Sequence, residues 1–66
     1  MIDRIKIQQA LNTCRVKPQI TRVEGRYVGI DREPPSTVVD NLAKQGVVCR
    51  GYSWSETLGY YLIIAV

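Results

Sequence analysis

The sequence predicts an α+β domain in which antiparallel β-hairpins pack on one or two helices, in the order α-ββ-α-ββ. Three observations carry this reading. Ile7, Ala10, Leu11 and Cys14 recur at the i, i+3, i+4, i+7 spacing of a helix with one buried face. Residues 19–32 and 47–66 are rich in β-branched and aromatic residues interrupted by glycine, the pattern of strands and tight turns. Between them, Glu33-Pro34-Pro35-Ser36 breaks any regular element and is followed by a second helical stretch. The 66 residues make a single domain, 1–66, with 45% hydrophobic and 23% charged residues, an ordinary globular balance. A chain this short buries only about 60% of its unfolded surface, so a partner or ligand would add usefully to its stability.

The first helix is capped by Asp3, whose short carboxylate can accept the unpaired N–H groups of the first turn. Arg15 and Lys17 suit the negative end of its dipole, and Pro18 stops it. A strand over Asp3–Ile7 is the competing assignment, since Ile5 and Ile7 alternate with charges, but Gln8 to Asn12 contains little that favours a strand. In the next segment Ile20, Val23, Tyr27, Val28 and Ile30 form a hairpin turning at Glu24-Gly25 or Gly25-Arg26, where glycine reaches the positive φ a tight turn requires. With Gly25-Arg26 as the loop, Val23 faces Val28 and Thr21 faces Ile30. Ser36 is then expected to cap a helix from about Thr37 to Gln45, with Val38, Val39, Leu42 and Ala43 as its apolar positions and Gly46 as its terminator. Val47 to Tyr52 reads as a strand, Ser53 to Thr57 as a polar turn around Trp54, and Leu58 to Val66 as a strand apolar on both faces. The last pattern suggests a central strand covered on both sides.

Composition excludes several kinds of chemistry. The chain has no histidine, so triads and dyads that use an imidazole base, and zinc sites with His ligands, are ruled out. Its two cysteines cannot close a four-ligand zinc site within one chain without carboxylates, and no metal or cofactor is expected. Asp31 and Glu33 would share a face if the strand continued, but they read as a solvated loop before the prolines. The hydroxyls of Ser36, Ser53, Ser55 and Thr57 have no base, and the five glycines are scattered rather than gathered into a phosphate loop. The chain is therefore read as non-enzymatic. Its opening residues carry alternating charges rather than a signal peptide, and the seven residues from Tyr60 to Val66 are far short of the roughly 20 that span a bilayer. These features point to a cytoplasmic protein with no membrane contact. Cys14 and Cys49 are accordingly expected to be buried, reduced thiols.

Charge gives the functional lead. The net charge is +3 and the isoelectric point near 9.1. Residues 1–32 hold seven basic groups against three acids, a net +4, whereas residues 33–66 hold two against three, a net −1. Arg22, Arg26 and Arg32 punctuate the first hairpin, which also carries Tyr27. Arginine pairs with phosphate and an aromatic ring can stack on a base, so these residues, with Arg50 and Trp54 in the second hairpin, are the candidate nucleic-acid contacts. The expected function is a small accessory or regulatory protein that binds DNA or RNA. The alternative is a protein–protein module, such as a small inhibitor, adaptor or homodimer, that acts through a sheet edge and exposed aromatics, Trp54 among them.

Residues 36–66 also resemble a known family. Ser36-Thr37-Val38-Val39-Asp40-Asn41-Leu42-Ala43-Lys44-Gln45-Gly46-Val47-Val48, followed by a hairpin ending in Tyr60-Tyr61-Leu62-Ile63, is similar to the last helix and wing of winged helix-turn-helix proteins. The resemblance implies a recognition helix in the major groove bearing Thr37, Asp40, Asn41 and Lys44, with Arg50 and Trp54 in a wing on the DNA backbone. The winged helix is thus the alternative fold. It departs from that family in having strand-like residues 19–32 where a helix should precede the recognition helix.

Overall fold

The computed structural model describes residues 2–65. Its elements are α1 (Arg4–Asn12), β1 (Ile20–Glu24), β2 (Tyr27–Ile30), α2 (Val38–Lys44), β3 (Cys49–Ser55) and β4 (Gly59–Ile64). This is the predicted α-ββ-α-ββ order, and the four strands form one antiparallel sheet in the spatial order β1-β2-β4-β3. Of the two architectures considered, the covered sheet is the one found. Residues 20–30 are a hairpin rather than a helix, and β4 is paired on both sides instead of belonging to a free wing. No described helix is long and apolar enough to cross a membrane.

Both helices lie on one face of the sheet. Ile7, Ala10, Leu11 and Cys14 from the first helical segment and Val38 and Leu42 from α2 pack against Val28, Ile30, Cys49, Leu62 and Ile64 in a single core. The predicted apolar positions of α1 are therefore the buried ones. Asp3 caps that helix as expected, its carboxylate accepting the Lys6 N–H at 3.0 Å. The helix is shorter than its sequence suggests, because the Thr13 hydroxyl and N–H both bond back to the Ala10 carbonyl and close the last turn. Arg15 and Lys17 lie beyond it, and its last turn carries no basic residue. Lys17 is the described non-glycine residue with positive φ, at 48°, and it redirects the chain into Pro18.

Three further expectations are corrected. Ser36 does not cap α2. The Pro35 carbonyl accepts the Val38 N–H at 3.0 Å in a tight turn, and Thr37 occupies the cap position without a side-chain bond. Thr21 does not face Ile30. It is the extra residue of a bulge, so that Ile20 pairs with Ile30 and Arg22 with Gly29, while Val23 does face Val28. Trp54 is not in a turn: β3 starts two residues later than expected, at Cys49, and runs through Trp54 to Ser55, and the turn is confined to Glu56, Thr57 and Leu58. Cys14 and Cys49 are buried and unbonded as predicted.

Capping predicts a contrast between the two helices. Asp3→Ala should cost about 1 kcal/mol in thermal unfolding, whereas Ser36→Ala should stay within about 0.5 kcal/mol of wild type. Both thiols should resist alkylation in the folded protein and react rapidly once it is denatured, as intact-mass measurement would show.

Candidate functional site

Residues directly opposite one another in a sheet share a face, so the register separates two surfaces. The helix side carries Val23, Val28, Leu62 and Tyr52 in one row and Ile20, Ile30, Tyr60 and Trp54 in the next. The other side carries Glu24, Tyr27, Ile63 and Gly51 in one row and Arg22, Gly29, Tyr61 and Ser53 in the next. Both helices pack on the first side. The apolar second face of β4, expected to be covered, is therefore left open, and Tyr61 and Ile63 stand half-buried upon it.

Tyr27 on β2 and Tyr61 on β4 are diagonal neighbours on this open face. Their ring centroids are 5.4 Å apart with planes at 86°, an edge-to-face pair. The rings do not make one continuous platform, so a flat ligand would stack on one of them. The Arg26 guanidinium lies 5.7 Å from the Tyr27 ring centroid, a cation–π arrangement that extends the aromatic surface over the turn. Beside them Arg22 reaches across Gly29. A Cβ at Gly29 would meet Arg22 Cγ at 3.3 Å and Thr21 Oγ1 at 2.9 Å, so the missing side chain is what lets both residues lie flat over the strand. Arg22 also pairs with Glu24 at 2.7 Å, both groups about half exposed. An ion pair this accessible is weak and readily exchanged for another anion. Arg26 makes no ion pair among the described residues.

The structure thus brings together three of the predicted contacts, Arg22, Arg26 and Tyr27. Arg50 lies at the same end of the sheet, in the bulge next to Gly51. Arg32 and Trp54 are elsewhere. Arg32 is at the far end of β2, paired to Asp31 at 3.1 Å and donating to the Val16 carbonyl at 3.4 Å, where it fastens the segment after α1 to the hairpin. Trp54 is exposed on edge strand β3, on the helix side. Tyr61 and Ile63 are additions. Their signal in the sequence is the unbroken apolar run of β4, whose second face has no helix to meet it. A cleft of about 240 Å³ lies between the start of α1 and the α2–β3 connection, but among the described residues its charged groups are Asp3, already engaged as a cap, and Lys6.

Among the described residues, three groups titrate away from their ordinary values: Asp31, Cys49 and Arg32, the last raised by its bond to the Asp31 carboxylate. The Arg32 guanidinium, then the Gln19 N–H, hold the Asp31 carboxyl below its usual 3.8. Burial pushes the Cys49 thiol up, and it donates to the Gly51 carbonyl at 3.2 Å. Comparison with protein-family models, curated proteins and solved structures gives no match.

Asp31 sets a pH dependence whose sign follows from its lowered value. The stabilisation is present above the unfolded carboxylate range and is lost as pH falls through the folded value. An NMR titration should place the Asp31 midpoint below 3.8, and Arg32→Ala should bring it back towards that value.

Proposed function

We propose that the chain is a non-enzymatic binding protein for single-stranded DNA or RNA, with the helix-free sheet face as its contact surface. The observation that carries this reading is the placement of Tyr27 and Tyr61 side by side on the two central strands, bordered by Arg22 and Arg26. Aromatic rings on an open sheet accept unstacked bases, and the arginines meet the phosphates that connect them. A duplex, with its bases already stacked, cannot use such rings. The exposed Arg22–Glu24 pair supports the reading as well, because a phosphate can replace Glu24 as the partner of Arg22. Lys44, on the helix side of the sheet, plays no part in this mode, nor does Arg32, which is engaged with Asp31 and Val16.

Fluorescence anisotropy with short labelled oligonucleotides tests the proposal. Affinity should fall with salt, each phosphate contact contributing about 0.7 to the logarithmic slope for a single strand. Tyr27→Ala and Tyr61→Ala should each weaken binding by about tenfold, within the range of 1–3 kcal/mol per stacked base. Arg22→Ala/Arg26→Ala should weaken binding and flatten the salt slope, whereas Lys44→Ala and Arg32→Ala should leave both unchanged. Absence of binding at low salt, or binding insensitive to both tyrosines, would refute it.

A further inference from the structure

The sheet has two edges, β1 and β3, and they are built differently. On β1 a bulge at Thr21 interrupts the strand, Arg22 and Glu24 form an ion pair along it, and the Ile20 N–H is taken by the Gln8 carboxamide at 3.0 Å. Bulges and charges of this kind blunt an edge. β3 is the longest strand, and after its bulge near Arg50 it runs regularly from Gly51 to Ser55. It also carries Trp54, which is 56% exposed.

The direction of the backbone groups along β3 follows from its neighbours. The Ile64 N–H donates to the Arg26 carbonyl at 2.8 Å, so the even-numbered residues of β4 are turned towards β2. In an antiparallel sheet that orientation alternates residue by residue. Tyr61 and Gly59 are therefore turned towards β3 and bond Ser53 and Ser55, their register partners. Tyr52 and Trp54 then direct their N–H and C=O groups away from the sheet, where they are available to another strand.

We infer that the free edge of β3 pairs antiparallel with β3 of a second copy of this chain, with Ser53 opposite Ser53 on a two-fold axis. This register is self-complementary at every position. Tyr52 of each copy stands opposite Trp54 of the other, and both residues present their free backbone groups there, giving two N–H···O=C bonds across each pair. The aromatic side chains meet on the helix side, where Trp54 finds cover. On the open side the junction consists of Gly51, Ser53 and Ser55, too small to obstruct the approach. Just beyond the regular stretch, Arg50 in the bulge of each copy comes to the same end of the junction as Glu56 in the turn of the other, a charge match not made within one copy among the described residues. Sliding the register by two residues sets Glu56 against Tyr52, or Arg50 against Trp54, and loses the charge match. The product is a closed two-fold dimer with one eight-stranded sheet. It does not depend on nucleic-acid binding.

Sedimentation velocity of the full chain over a range of concentrations tests the pairing. The mass should rise towards twice the 7.5 kDa of one chain. Trp54, the sole tryptophan, should shift its emission to shorter wavelength over the same range. Trp54→Lys should remain monomeric, with circular dichroism reporting on the fold. The charges give a second test independent of that variant. Arg50→Glu and Glu56→Arg should each be monomeric alone, because each sets like charges opposite one another, yet an equimolar mixture of the two should form a heterodimer. A monomer at every attainable concentration overturns the inference, as does a dimer that neither Trp54→Lys nor the single charge variants weaken.

Discussion

Two helices of nine and seven residues, roughly 14 and 10 Å long at 1.5 Å per residue, can cover one face of a four-stranded sheet and no more. That limit of coverage governs the molecule. It concentrates every fully buried apolar side chain on one side, where Ile7, Leu11, Val38 and Leu42 close over Val28 and Leu62. It leaves the other side to be made tolerable to water by different means. Two tyrosines, with an apolar ring and a polar tip, stand there in place of leucines, and arginine stems lie over a glycine. The composition of the open face is thus the chemical counterpart of the missing layer.

Much of the architecture can be read from the sequence because local chemistry and global fold agree along most of the chain. The apolar spacing of α1, the glycine in the first hairpin and the proline break before α2 each specify their element without help from distant residues. The features that cannot be read are those decided by competition. Ser36 is a good cap by type, but two prolines before it favour a turn in which the Pro35 carbonyl takes the bond instead. Thr21 fits a strand by propensity, and only the anchoring of Gln19 and Ile20 by Asp31 and Gln8 forces it out as a bulge. Ser53 to Ser55 looks like a turn by polarity, yet an edge strand exposed to solvent has the same polar alternation.

The candidate site shows the same division. Arg22, Arg26 and Tyr27 are adjacent in sequence and are brought together by a hairpin that local residues specify. Tyr61 joins them only through the pairing of β2 with β4, which no local signal announces. Arg32 fails to join them because charge composition says nothing about direction: two residues past the end of β2, it turns to Val16 instead. The proposed eight-stranded sheet would set two such open faces on the same side, so that a single strand bound in the proposed mode could engage both.

The order β1-β2-β4-β3 also has a kinetic meaning. Each hairpin joins strands that are neighbours in the chain, so each can form on the microsecond scale of local contacts. The β2–β4 seam is different. Tyr27 must find Ile63 across the whole of α2 and the second hairpin, and the entropy of closing that loop is spent before the seam returns anything. The core residues on either side of it, Val28 and Leu62, are buried together only once it closes. The loop-closure cost of this topology is thus concentrated in the central seam rather than in either turn.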